Sequence, residues 1–347
     1  MVNKAAYYGY FSARTKAMSR LLLSDEEISQ IIEAKDYGEI VSILYQKDFK
    51  EDLEEFGGVK IREDMIEFAL SKNLARSLIK LSIASPPIER NATLHILGKW
   101  ELENLKVALQ AKDSGKKFED IEKYLIDYGR YKAQIMKEYM KEESIEGILE
   151  RASINSPYKK ELEEGIEEYR KSKNIRRAIA KMFNAYYSSL KGLMVWIRAA
   201  QPEAARIIKK DIDIKNLLLF LEGKKIRRNL ESIKEEEIEG GTLELGKIEE
   251  IYSKSDSYDK LLEMLPSIGI KTYGTRSVVE AEAMMRRELL EHSKRLLSHL
   301  SLSYGTIIAY AYAKDAEIFN LRIIINGKKF GIEREEMKKM IIWKRER

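Results

Sequence analysis

Apolar residues recur along this chain at steps of three and four. In 174–200, NIRRAIAKMFNAYYSSLKGLMVWIRAA, they fall at Ile175, Ile179, Met182, Phe183, Tyr186, Leu190, Leu193 and Ile197. That spacing draws one stripe down one helix face, and Arg176, Arg177, Lys181 and Lys191 lie off it. A second helix is predicted through VVEAEAMMRRELLEHSKRLLSHL, with Met285, Leu289, Leu296 and Leu300 on its stripe. A third is predicted through REDMIEFALSKNLARSLIKLSI, with Met65, Phe68, Leu74, Leu78 and Leu81. No stretch alternates with the period of two that a half-buried strand requires. The chain reads as all-α.

The pattern also repeats on a longer scale. ELENLKVALQAKD, DIKNLLLFLEGKK and EIFNLRIIINGKK each place an acid three residues before Asn-Leu and a lysine eight residues after the Asn. The acids are Glu101, Asp213 and Glu317, the asparagines Asn104, Asn216 and Asn320, and the lysines Lys112, Lys224 and Lys328. Successive asparagines are 112 and 104 positions apart. Tyr37, Tyr158 and Tyr258 keep the same phase, each opening an apolar helix behind a segment rich in Glu and Ile. Breaks at Pro86-Pro87, at Pro202 and near Ser303-Tyr304-Gly305 precede the three asparagines. Three landmarks recurring in one order predict three similar helical subdomains, divided as 1–130, 131–240 and 241–347. The unit of roughly 105 residues is too long for a helical-hairpin solenoid. Three head-to-tail copies commonly close around an axis, so pseudo-threefold symmetry is expected.

Each Asn helix is expected to end in a left-handed cap near Gly223 or Gly327, with lysines at the negative end of its dipole and a short amphipathic helix following. Two readings of the asparagines are open. One is a buried amide tying helices together; the other is a binding site repeated three times. The first is favoured, because Leu follows every Asn and no further polar residue recurs beside it.

Composition narrows the function. The chain has 347 residues, with 62 Lys and Arg against 57 Asp and Glu, and the signs are mixed throughout. A nucleic-acid binder is usually more lopsided, so a reading built on Arg176, Arg177, Arg227 and Arg228 is disfavoured. The absence of cysteine excludes disulfides, thiolate metal sites and cysteine nucleophiles, and fits a reducing compartment. The most apolar stretch, TIIAYAYA at 306–313, is far short of a membrane span, and the N-terminus lacks the apolar core of a signal peptide. A location in the cytoplasm is expected.

Motifs for chemistry are missing. NGKKFG and EGKKIRR lack the first glycine and the hydroxyl residue of a phosphate-binding loop, and no strand precedes a G-x-G-x-x-G. His292 and His299 stand two helical turns apart, and His95 sits in an apolar patch, so none is a strong ligand candidate. No catalytic, cofactor-binding or metal-binding residue is assigned, and no cofactor is expected. Tyr7, Tyr8, Tyr10 and Phe11 cannot all be buried on one helix face. Tyr7, Tyr8 and Tyr10, with Trp343 near the basic C-terminal end, are candidate partner contacts.

The opening YYGYFSARTKAMSRLL, with Ala13 and Arg14, and the ending AEIFNLRIIINGKKFGIEREEMKKMI, with Asn320, Leu321, Arg322, Gly327 and Lys328, resemble the C subunit of the archaeal A-type/V-type ATP synthases. The eukaryotic counterpart is the d subunit of the vacuolar proton pump. The resemblance covers the whole chain. It implies a funnel of three helical subdomains with no catalysis of its own, peripheral to the membrane on its cytoplasmic side. In that family the wide end receives the rotor shaft made of the D and F subunits, and the narrow end rests on the membrane proteolipid ring without entering lipid. The funnel would pass torque between them. A general helical scaffold for other protein partners remains the alternative reading.

Overall fold

A computed structural model describes residues 4–56, 61–85, 90–200, 202–272, 274–299 and 305–342. Among the described residues there are eighteen α-helices and two short 3-10 turns, and no strand. Element order recurs three times. A short helix is followed by one capped by a Ser or Asp side chain, then a long helix, an Asn helix and a second short helix. In the first copy these are Asp25–Glu33, Tyr37–Leu44, Glu63–Ala84, Arg90–Asp113 and Phe118–Ile121. The second runs Ala133–Tyr139, Ile145–Ser153, Ile175–Ala200, Pro202–Lys225 and Leu230–Lys234, and the third Leu245–Lys254, Tyr258–Met264, Val278–His299, Gly305–Lys329 and Arg334–Met340; Lys50–Glu54 and Lys159–Ser172 are additions before the long helix of the first and second copies. Pro202 opens its helix, where a missing N–H costs nothing. Pro86, Pro87, Ser303 and Tyr304 lie outside the described residues.

Local chemistry sets the helix starts. Ser24 accepts from the N–H of Glu27 at 3.2 Å, and the Glu27 carboxylate accepts from the Ser24 N–H at 2.9 Å, a complete capping box. Asp36 and Ser257 cap the helices that begin at Tyr37 and Tyr258 in the same way, through one side-chain oxygen.

The helix ends correct one expectation. Gly223 and Gly327 are not left-handed caps; both lie inside their helices, which end at Lys225 and Lys329. The left-handed residue comes four positions later, at Arg227 (φ 57°) and Gly331 (φ 67°), with Gly115 (φ 69°) equivalent in the first copy. The next N–H then bonds back five residues, Lys116 to Ala111 O at 2.8 Å, Arg228 to Gly223 O at 2.9 Å and Ile332 to Gly327 O at 2.8 Å. All three are Schellman closures. The in-helix glycines serve packing instead, since a Cβ on Gly223 would stand 2.4 Å from Ile233 Cδ1.

The chain forms two compact units: residues up to Lys141 together with those from Leu290 onward, and Glu142–Leu289. In the first, helix Gly305–Lys329 is buried on almost every side and packs on Glu63–Ala84, Lys4–Ser19 and Asp25–Glu33. A helix so enclosed must pair its own charges. Lys314 Nζ meets Glu317 Oε2 at 2.5 Å and stands 4.3 Å from the Phe49 ring centre, and Trp100 Nε1 donates to Asp315 Oδ1 at 3.0 Å. Arg322 donates to Glu67 Oε2 at 3.1 Å and to Ser71 Oγ at 2.8 Å. Burial raises the Glu67 carboxyl above its usual range, and the Arg322 guanidinium opposes that.

In the second unit the core joins Leu217, Phe220 and Leu221 of the Asn helix to Ile233, Ile248, Ile251 and Leu261. An Asn helix and its short helix thus share a core with the first two helices of the next copy.

Arg227 is the one non-glycine among the three left-handed caps, and its side chain is exposed. Arg227→Gly is expected to stabilise the chain by about 1 kcal/mol, read as a higher urea midpoint at unchanged slope. Gly331→Ala, with open space around its Cα, is expected to destabilise by about as much.

Candidate functional site

The recurring acid, asparagine and lysine each make a contact that repeats between copies. The asparagines form two-way amide clasps. Asn104 Oδ1 accepts from Ile126 N at 2.9 Å, and its Nδ2 donates to Ile126 O at 2.6 Å and to Tyr131 O at 2.9 Å. Asn216 binds both backbone groups of Ile238 at 2.8 and 2.7 Å, and Asn320 those of Ile342 at 2.6 and 2.7 Å. Each partner lies 22 residues downstream, and all three asparagines are buried. A primary amide matches a backbone N–H and C=O pair as one peptide matches another, so a non-helical strap leaves no orphan group. The amides point inward and their polar atoms are engaged.

The acids of the first two copies hold the chain that leads into the next copy. Glu101 Oε2 accepts from Arg130 N at 2.7 Å, 29 residues on. Asp213 Oδ1 accepts from Thr242 N at 2.7 Å and Leu243 N at 3.0 Å, and its Oδ2 accepts from the Thr242 hydroxyl. Gly129 and Gly241 stand just before these donors because a Cβ there would fall 2.1 Å from Glu101 Cδ and 2.2 Å from Asp213 Oδ1. Glu317, the acid of the third copy, turns to the beginning of the chain, where its Oε1 accepts from Leu23 N at 2.6 Å.

The lysines cap the carbonyl end of a helix in another copy. Lys224 Nζ donates to Tyr252 O at 2.6 Å and Ser255 O at 2.9 Å. Lys328 donates to Ile32 O at 2.8 Å and Ala34 O at 2.6 Å, back at the beginning of the chain. Ala34 stands three residues before Tyr37 and Ser255 three before Tyr258, so the two contacts are equivalent. Glu317 and Lys328 of the third Asn helix therefore reach the first copy, and Arg334–Glu33 at 2.6 Å and Lys329–Glu63 at 2.7 Å reinforce that contact. Burial lowers both Lys224 and Lys328 from the ordinary lysine value, consistent with their uncharged carbonyl partners. In the first copy Lys112 reaches Met140 O at 3.5 Å, a much longer contact.

The other sequence-derived candidates are scattered. Tyr158 is buried edge-on to Tyr186 at 6.4 Å, and Tyr258 is half-buried with its hydroxyl pushed up to about 12 by burial and then by Glu280. Burial likewise raises Tyr37. Tyr10 is 59% exposed and accepts from Arg14 Nη1 at 2.8 Å, while neighbouring Phe11 is fully buried. Trp343 lies outside the described residues, as do the side chains of Tyr7 and Tyr8. His292 is buried on its helix 3.4 Å from Arg295, and His299 meets Ser298 Oγ at 2.7 Å. Arg177 and Arg228 are occupied by carboxylates, Glu168 at 2.8 Å and Glu236 at 2.5 Å. Among the described residues no group of three His, Asp or Glu is placed to hold a metal, and no helix is long and apolar enough to cross a membrane.

A profile of the ATP synthase (C/AC39) subunit family matches residues 11–340. The chain is similar to the A-type ATP synthase C subunit of Thermoplasma acidophilum, at 23% identity over 97% of this chain and 98% of the relative. The C subunit of Thermococcus onnurineus is 27% identical over 98% of this chain and 92% of its own. That of Methanocaldococcus jannaschii is 24% identical over 99% and 88%.

A carboxylate can replace only half of the clasp, because it accepts but cannot donate unless protonated. Asn216→Asp is expected to cost about 3 kcal/mol near neutral pH, where its oxygen faces the buried Ile238 carbonyl. Burial raises the new carboxyl, so the deficit should grow as pH rises through that raised value and shrink toward about pH 4.5. Asn216→Ala should lose a similar amount at both pH values, and urea unfolding of the pair measures the difference.

Proposed function

The chain belongs to the ATP synthase (C/AC39) subunit family, and from that premise we propose that it is the central-stalk adaptor of an A-type rotary ATP synthase. The chain is a non-catalytic accessory subunit of that complex. In the proposed role it sits on the cytoplasmic side, between the membrane proteolipid ring and the rotor shaft formed by the D and F subunits. Ion flow turns the ring, and the adaptor passes the torque to the shaft, or back when ATP is hydrolysed. The observation that carries this reading is the family match along the whole body of the chain, residues 11–340.

Physical considerations support it. A torque coupler has to be stiff between its two contacts, and three helical subdomains closed around an axis, divided near 130 and 240, would provide that. The ties from Glu317 and Lys328 to the start of the chain suit such closure. They join the last copy to the first, so twisting would strain buried hydrogen bonds instead of opening a seam.

Affinity purification of the tagged chain from its own membranes tests the role. The other rotary ATP synthase subunits are expected to dominate, and the purified D–F heterodimer should bind the isolated chain at micromolar concentration. Recovery of unrelated proteins only, with no binding to the heterodimer, would overturn the reading.

A further inference from the structure

The first copy departs from the other two where its lysine should cap a helix. At the second copy's lysine the Tyr252 ring covers Lys224, with Nζ 3.7 Å from the ring centre, and the Tyr252 hydroxyl donates to Arg228 O at 2.6 Å. Arg228 itself grips Glu236 through two hydrogen bonds, at 3.0 and 2.5 Å. Lys234 pairs with Glu249 at 2.9 Å. Each of these three cations has a partner, and Tyr252 is buried in the core.

Beside the first copy's lysine, Met140 holds the place that Tyr252 holds beside Lys224, since Lys112 and Lys224 each reach a carbonyl 28 residues on. A thioether neither spans that space nor donates to a carbonyl. A cavity of about 290 Å³ opens there, lined by Lys112, Lys116, Lys117, Lys137 and Lys141. Lys116 stands where the arrangement around Lys224 has the pinned Arg228, and Lys137 where it has the acid Glu249. Among these described lysines Lys141 alone is in an ion pair, with Glu138 at 2.8 Å, while Lys137 lies 5.7 Å from the Phe118 ring centre. Glu119 is the one carboxylate in the lining. Four of the described lining lysines are outside any ion pair, and a multivalent anion seated among them would be drawn to all four charges at once.

We propose that this cavity binds a phosphate-type oxyanion, carried either by a free polyphosphate or by an anionic lipid headgroup. The point-charge ammonium groups suit a multivalent phosphate, and the long lysine stems can close on it from two helices and the intervening loop. Beside Lys224 the corresponding space is filled by the Tyr252 ring, so the cavity at Lys112 has no counterpart there.

The test uses the full chain at low salt. Pyrophosphate is titrated in by calorimetry, and vesicles of phosphatidylglycerol in phosphatidylcholine are offered in a flotation assay. Saturable binding in either arm is expected, and the arm that responds identifies the source of the phosphate. The triple change Lys116→Gln, Lys117→Gln and Lys137→Gln should weaken it at least about thirtyfold. Met140→Tyr should abolish it with every lysine still present, by restoring the arrangement found beside Lys224. Lys159→Gln with Lys160→Gln, exposed lysines elsewhere, should change nothing. No saturable binding in either arm would overturn the proposal, and so would binding that survives both the triple change and Met140→Tyr.

Discussion

One interaction recurs throughout this molecule: an asparagine amide buried against both backbone groups of an isoleucine 22 residues downstream. Each clasp fastens a non-helical strap to the middle of a long helix. Such a strap inside a helical body would otherwise bury an unpaired N–H and C=O, at a cost of a few kcal/mol. The clasp removes that cost and fixes the register between the Asn helix and the short helix after it. The acid one turn before and the lysine two turns after act from the same helix. A single helix surface thereby sets three distances in the chain packed against it.

The same arrangement joins the last copy to the first. Asn320 finds its partner at Ile342, near the end of the described residues. Glu317 and Lys328 take theirs from Leu23, Ile32 and Ala34, and the lysine contacts match those used in the second copy. The two ends of the chain therefore complete one shared module, which is why the compact unit around helix Gly305–Lys329 contains both.

Much of this was legible in the sequence, and the parts that were not have physical reasons. The helices at 63–84, 175–200 and 278–299 follow from the three-and-four spacing of their apolar residues. The asparagines stood out because a polar residue kept one phase beside leucine. Their partners did not, because the contact is to the backbone and any residue carries one. Gly327-Lys328-Lys329 looked like a helix end because glycine and lysine are both end signals, yet Gly327 serves close packing and the turn comes at Gly331. Arg227 at the equivalent turn carries no sequence signal at all. Gly129 and Gly241 were a missed clue: each sits 28 residues after an acid that presses against its Cα.

Native-state hydrogen exchange at Ile126, Ile238, Ile342 and Leu23 tests the clasp account most directly. If the asparagines and Glu317 hold these amides, all four exchange only through the large openings that expose the core, despite lying outside regular helices. Exchange of these amides at the rate of exposed loop positions would contradict it.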